Sequence, residues 1–408
     1  MKLPTQQQLT SEQKTPIGAP MTQSMIVTGP PGSGKTVVAI YRMRQARKVD
    51  TDRTVTAITY SNLLAHYMDD KVHQTQATTY HKWLWHYWQK CTRTTPPKAT
   101  EWNCDLPAMI KRAESISDTN SAELALWNWG HLVIDEAQDL PLKFFELLQV
   151  LMTKFGKQPA AKRPVLTVLL DDNQTTRFTR NPRADSDGRD VVSIDRIKED
   201  FPATIYQLRK NHRNTSQVSK FSGHFYVGTT SGIAEPSSRS GTAPMLRTYQ
   251  NIDQLARFAF LQAKTKACAV GVFLDQASQV KNLMRALETV RGSDVKVKVQ
   301  SFLSIYRKHV ANIAFDTPGG SVTVMCRDSA KGLEFDIAII GGLDTMSDIN
   351  LHDDDARMAL YVLATRPRQE LVIAWMGTKD GFMRRCGTKR FPPLGRTGLG
   401  LWSEGEEL

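Results

Sequence analysis

Two short segments constrain this chain more than anything else in it. Residues 29–36 read Gly-Pro-Pro-Gly-Ser-Gly-Lys-Thr, and residues 132–139 read Leu-Val-Ile-Asp-Glu-Ala-Gln-Asp. The first has the spacing G-x-x-x-x-G-K-T of a phosphate-binding loop. Gly29, Gly32 and Gly34, with Ser33 among them, let backbone N–H groups close around phosphates. Lys35 is then set to reach the β and γ oxygens of ATP, and Thr36 to ligate Mg²⁺. The second segment is an apolar run ending in two acids, as a buried strand reads when it delivers carboxylates at its C-terminal edge. Asp135 is the expected metal holder, and Glu136 the residue that orients and deprotonates the attacking water. In this order the two segments point to a nucleoside triphosphatase.

A chain of 408 residues can form two or three domains, each with a sizeable core. Its 40% apolar and 23% charged residues are an ordinary soluble composition. No stretch approaches the ~18 apolar residues of a membrane helix, and the opening MKLPTQQQLTSEQK lacks the apolar core of a signal peptide. The five cysteines are scattered and form no C-x-x-C pair, which argues for reduced thiols and against a structural zinc site. These features lead us to expect a cytoplasmic enzyme with no membrane association. The net charge of +12 calls for a polyanionic partner, nucleic acid before acidic protein. Because the chain has no long Lys/Arg run, folding must assemble any basic surface.

Met25–Thr28, Val55–Thr59, Leu132–Ile134 and Val165–Leu170 read as buried strands, with helices over Val37–Val49 and Leu142–Phe155. The second half repeats this style, with strands at Ala269–Leu274, Val322–Met325 and Ile337–Ile340. Helices are expected over Gln279–Val290 and Ala356–Thr365. Arg180–Asp190 and Ala234–Ala243 are rich in breakers and read as loops. Trp83, Trp85, Tyr87 and Trp88 crowd one short stretch. Trp83 and Tyr87, four residues apart, fit the buried face of a helix in a small accessory lobe better than a base-stacking platform. The acidic run Asp353–Asp355 reads as a solvated helix start rather than a metal site.

Further short segments follow in order: Thr59-Tyr60-Ser61-Asn62, Thr79-Tyr80-His81, Asp171-Asp172-Asn173-Gln174, Asn211-His212-Arg213-Asn214, Lys331-Gly332-Leu333-Glu334-Phe335-Asp336, and Tyr361-Val362 running to Arg366. With the opening pair they resemble the motifs of the UvrD/Rep-like branch of superfamily 1 helicases, from about Leu9 to Arg368. The resemblance implies an α/β fold of two RecA-like parallel-sheet domains, 1–205 and 206–408, with the ATP site in the cleft between them. A small insertion would occupy about 82–130, and the second accessory domain would be absent. Arg213 and Arg366 would act as arginine fingers and Gln174 as the γ-phosphate sensor. Glu334 would bond the ribose, and Gln13 would read the adenine edge. Thr59, Ser61, Asn62, Thr79, Tyr80 and His81 would touch a nucleic-acid strand. Hydroxyls and amides suit phosphates, and Tyr80 suits a base; His81 fits a local structural bond equally well.

The activity so implied is ATP-dependent translocation on single-stranded or tailed DNA, 3′ to 5′, with RNA as another substrate class. The chain also departs from the family pattern. Cys326 and Asp328 stand where Thr and His are usual, and after Gln174, where the family has base-stacking aromatics, Phe178 is the only candidate to stack on a nucleic-acid base and is offset. The departures favour a second reading: a nucleic-acid-sensing regulatory ATPase that unwinds little. By the same resemblance, such a subunit would partner a nuclease, for example in anti-phage defence.

Overall fold

The continuous apolar runs become the middle strands of two parallel sheets, whose residues are buried because helices cover both faces. The computed structural model describes residues 3–71, 76–101, 103–174, 192, 194–201, 203–228, 231–235, 237–302, 317–345, 354–392 and 403–404. Phe178, Arg180–Asp190 and Asp353 lie outside the described residues.

The first sheet uses β1 (Met25–Thr28), β2 (Val55–Thr59), β3 (Gln76–Thr79), β4 (His131–Ile134), β5 (Val165–Leu170) and β6 (Thr204–Gln207), in the order β3-β2-β4-β5-β1-β6. Every neighbouring pair is parallel. Its helices are α1 (Ser11–Gly18), α2 (Lys35–Val49), α3 (Asn62–Lys71), α4 (Tyr80–Thr92), α5 (Leu106–Glu114), α6 (Ser121–Trp127), α7 (Leu142–Lys154) and α8 (Ile194–Asp200). The C-terminal ends of β1, β4 and β5 are adjacent, and in open parallel sheets that edge is where ligands bind.

The aromatic stretch is core, as its spacing predicts, but it builds no lobe of its own. Trp83 stacks on Tyr87 with centroids 4.6 Å apart, and the Tyr87 hydroxyl donates to the Trp127 carbonyl at 2.5 Å. These rings form one continuous apolar cluster with Ile58, Leu132 and Leu166 of the sheet. Helices α4 to α6 therefore complete the first core. The expected separate lobe is corrected: its buried aromatic face has the sheet to pack against.

The second sheet takes β7 (Met245–Tyr249), β8 (Ala269–Leu274), β9 (Lys298–Phe302), β10 (Ser321–Cys326), β11 (Phe335–Ile340), β12 (Pro367–Met376) and the two-residue β13 (Ser403–Glu404). Their order is β13-β7-β12-β11-β8-β10-β9, again parallel throughout. The helices here are α9 (Ser216–Gly223), α10 (Ile252–Lys266), α11 (Ala277–Arg291), α12 (Asp354–Ala364) and α13 (Lys379–Arg390). Described residues between 215 and 302 are spent on α9, β7, α10, β8, α11 and β9 of this domain.

The two-sheet α/β architecture expected from the sequence is the one found. The expected boundary at 205/206 falls inside β6, which pairs with β1. Beyond β6 the chain stays close to the first sheet: the Leu208 amide donates to the Thr28 carbonyl at 2.8 Å. Helix α3 binds the halves together. Leu64 belongs to an apolar cluster of the first domain, whereas its neighbour Leu63 is buried in the cluster of the second.

Candidate active site

The loop after β1 turns tightly enough to need glycine. Gly32 and Gly34 have φ of +80° and +92°, a region costly for residues with a Cβ. The outer side of the loop is also crowded. A Cβ on Gly29 would lie 2.6 Å from the Leu208 carbonyl oxygen, and one on Gly32 would lie 2.5 Å from Asn211 Oδ1. The Lys35 ammonium donates to the carbonyls of Gly29 at 2.6 Å and Pro30 at 3.2 Å, and stands 3.6 Å from Asp171 Oδ2. Ser33 Oγ is buried and has no hydrogen-bond partner. A cation turned back onto its own loop beside an orphaned hydroxyl is the chemistry of a phosphate seat.

Thr36 Oγ1 donates to Asp135 Oδ2 at 2.7 Å, joining the start of α2 to the end of β4. Hydroxyl and carboxylate oxygens together fit Mg²⁺, which takes few protein ligands and completes its shell with phosphate and water. Next along the chain, Glu136 has φ +53°. A side chain held in this region stores ~1–3 kcal/mol of strain, and such residues concentrate at functional sites. Gln138 pins the Glu136 side chain, donating from Nε2 to Glu136 Oε2 at 2.6 Å, while its Oε1 accepts from the Asp171 amide at 3.1 Å. Burial first, and then the neighbouring Glu136, push the Asp135 carboxyl up to about 7. Burial also acts to raise Glu136, but Lys331, Lys35 and Arg366 outweigh it and hold Glu136 below its usual range. The cations around Glu136 thus favour its charged form, as a base requires.

The second domain completes the cleft. Gln174 donates to Asp171 Oδ2 at 2.7 Å, and its Oε1 accepts from Arg366 Nη2 at 2.7 Å. Arg366 is 1% exposed and also donates to the Val362 carbonyl at 2.7 Å. Burial, then Arg213, pull its guanidinium down to about 9. Arg213 pairs with Glu334 Oε1 at 2.6 Å, and Arg368 holds the other oxygen at 3.2 Å. Burial would raise Glu334; the two arginines override it and set its carboxyl at about 2. The cleft, about 510 Å³ with its open mouth, is lined by Lys35, Thr36 and Glu136 from one domain and by Gln174, Arg213, Glu334 and Arg366 around the junction. Val37, Ile40 and Tyr67 add an apolar wall that sequence reasoning missed. The 3.6-residue period of α2 puts Ile40 one turn beyond Thr36 and carried that signal.

Two residues expected on the nucleotide side are engaged with protein partners. Gln13 reaches the phosphate loop but does not line the cleft. Its Nε2 donates to the Ser33 carbonyl, and its Oε1 accepts from the Thr10 amide, both at 3.1 Å. The amide thereby caps α1 and braces the phosphate loop. Glu334 does line the cleft, with both carboxylate oxygens held by arginines.

The expected nucleic-acid contacts sit at the adjacent ends of β2 and β3, and some of them are buried. Thr59 is 1% exposed, with an unpartnered Oγ1. Ser61 Oγ accepts from the Leu64 amide at 3.3 Å and caps α3. Tyr80 is 4% exposed and packs edge-on against Phe144 at 4.9 Å. The expectation that Tyr80 stacks on a base is therefore corrected: its ring belongs to the first core. Asn62 and His81 are exposed, and Thr79 is half-buried. The accessible aromatic here is Tyr60, 38% exposed and 5.8 Å edge-on from His81. Its place inside Thr59-Tyr60-Ser61 was the overlooked signal.

With this geometry established, the chain can be set beside known proteins. Residues 13–179 match the model of an AAA domain. The matched stretch covers β1 to β5 of the first sheet, so this α/β unit is similar to an AAA domain. No curated protein matches the chain. Among solved structures, the C-terminal domain of a possible DNA helicase from Lactobacillus plantarum is 22% identical, with TM-score 0.31 over 47% of this chain and 97% of that one. The helicase MrfA bound to DNA and AMPPNP is 10% identical, with TM-score 0.48 over 93% of this chain; the match spans only 50% of MrfA. Dbp5 from S. cerevisiae, bound to RNA and ADP BeF3, is 13% identical, with TM-score 0.43 over 98% of this chain and 94% of Dbp5. None of the five cysteines is in a disulfide, and among the described residues no helix is long and apolar enough to cross a membrane.

Proposed function

We propose that the protein is an ATPase of the UvrD-like type that moves on single-stranded DNA, in the 3′ to 5′ direction. The observation that carries this reading is one cleft lined by Lys35, Thr36 and Glu136 of the first domain together with Arg213 and Arg366 of the second. Lys35 and the backbone of residues 32–36 bind the phosphates. Thr36 and Asp135 would hold Mg²⁺, which neutralises phosphate charge when bound. Glu136, kept charged by its cationic neighbours, accepts the proton of the attacking water, while Gln138 fixes its direction. Arg213 and Arg366 stabilise the charge that develops on the transferred group, which ties hydrolysis to the approach of the two sheets.

Phosphate release by wild type and Lys35→Ala, with and without single-stranded DNA, tests the reading. Hydrolysis stimulated by the strand and lost in the variant is expected. Equal rates in the two proteins would sink it.

A second reading is favoured by the burial of Tyr80 and Thr59 and by the exposed Asp328 beyond β10, a carboxylate that repels phosphate. In that reading the ATPase senses a nucleic acid, DNA or RNA, and signals to a partner such as a nuclease. Strand displacement from a tailed duplex separates the two: the sensor is stimulated by the strand yet displaces none.

A further inference from the structure

Lys331 opens the segment Lys-Gly-Leu-Glu, and beyond its charge acting on Glu136 it makes direct bonds that the site described above leaves unused. Its side chain leaves its own domain. The ammonium donates to the Asp139 carboxylate and, at 2.5 Å, to the Gln174 carbonyl. Both acceptors sit at the C-terminal edge of the first sheet. Asp139 lies three residues beyond Glu136, and Gln174 carries the amide held between Asp171 and Arg366. The pair is shielded from water, with side chains 11% and 4% exposed. The adjoining backbone is pressed against the first domain as well. Gly332 has φ +77°, and a Cβ there would lie 2.9 Å from Leu64 Cδ2 of α3. Lys331 does not line the cleft, so its reach is toward the machinery rather than the nucleotide.

We propose that Lys331 is an interdomain positioning residue: it fixes the turn from Glu136 to Asp139 and the Gln174 carbonyl at one separation, and does so only while the two sheets are closed. Opening the cleft strands a buried carboxylate and its ammonium at once, which makes an intermediate, half-open arrangement costly. Closure then becomes a switch that completes the hydrolytic geometry, separate from nucleotide binding. This rests on the ATPase reading given above.

The test uses full-length protein in two assays. In steady-state hydrolysis, Lys331→Met should lower kcat by about 100-fold, the scale of an ångström-level misplacement at a reacting centre, with KM for ATP little changed. Lys331→Arg, which keeps the charge, should recover most of the loss, and Asp139→Asn should reproduce it. In nucleotide-free protein, amide hydrogen exchange over Ala137–Leu140 and over α3 should rise in Lys331→Met and stay near wild type in Lys331→Arg. An unchanged kcat in Lys331→Met overturns the proposal, as does a loss shared equally by kcat and KM. If wild type itself hydrolyses nothing, the ATPase reading fails. The exchange assay then still decides the latch, and unchanged exchange in Lys331→Met refutes it.

Discussion

The nucleotide cleft and the ends of β2 and β3 were both marked by short polar segments, yet they fare differently in the folded chain. In the cleft, side chains from distant parts of the sequence converge: Thr36 bonds Asp135, and Gln174 bonds Arg366 across 192 residues. At the ends of β2 and β3, the marked residues are largely consumed locally. Ser61 caps a helix, Thr59 is buried, and Tyr80 fills the core. Polar residues that bond partners distant in the sequence gather at one cleft, whereas polar residues that bond their own turn are holding that turn. Sequence segments look alike in the two cases, and the partner tells them apart.

The largest effect expected of a single change is on the cleft side. Glu136→Gln keeps the shape and the bond from Gln138 but removes the base, so kcat for ATP should fall about 10⁴-fold, the upper range for general-base loss. Arg366→Lys should cost about 10³-fold in kcat, the lower range for an arginine finger, because an ammonium cannot serve Gln174 and the Val362 carbonyl together. Phosphate release measures both. Should either variant keep wild-type turnover, the convergence in the cleft is structural only.

The other side of the comparison predicts a dissociation between neighbours. Tyr80→Ala should lower unfolding stability by about 3 kcal/mol, as large-to-small changes in a packed core do. Tyr60→Ala should leave stability nearly unchanged and weaken single-strand binding by about 1 kcal/mol, the lower range for one stacked base. Urea melts and fluorescence anisotropy report the two quantities, and a reversed pattern would return the stacking role to Tyr80. The smallest effect concerns pH. Glu334, set at about 2 by Arg213 and Arg368, stabilises the fold fully above the ordinary carboxylate range, and that contribution is lost as pH falls through about 2. Melting temperatures between pH 5 and pH 2.5 should fall less steeply in Glu334→Gln than in wild type.

Much of this was legible in the sequence, for identifiable reasons. Strands β1, β2, β5 and β8 were read with their ends in place because both of their faces are covered, which writes continuous apolar runs. Strand β3, Gln76–Thr79, is partly exposed and polar at its edge, and β12 opens on Pro367 directly after the Arg366 motif; neither announced itself. The cleft residues were legible because tight phosphate geometry restricts residue type. The left-handed backbone of Glu136, the arginines claiming both oxygens of Glu334 and the reach of Lys331 into the other domain were not. Each depends on a partner 34 to 192 residues away or on a dihedral angle that composition does not record.

Strand β6 has one more consequence. The segment leaving it backs the phosphate loop: the His212 amide donates to the Gly32 carbonyl at 2.9 Å, and Leu208 crowds Gly29. The joint between the two halves is therefore also the rear wall of the nucleotide seat. Cutting the chain there would not yield a nucleotide-binding piece and an accessory piece. It would take away the wall against which the loop is folded, so the molecule has two domains but no seam along which it can be divided.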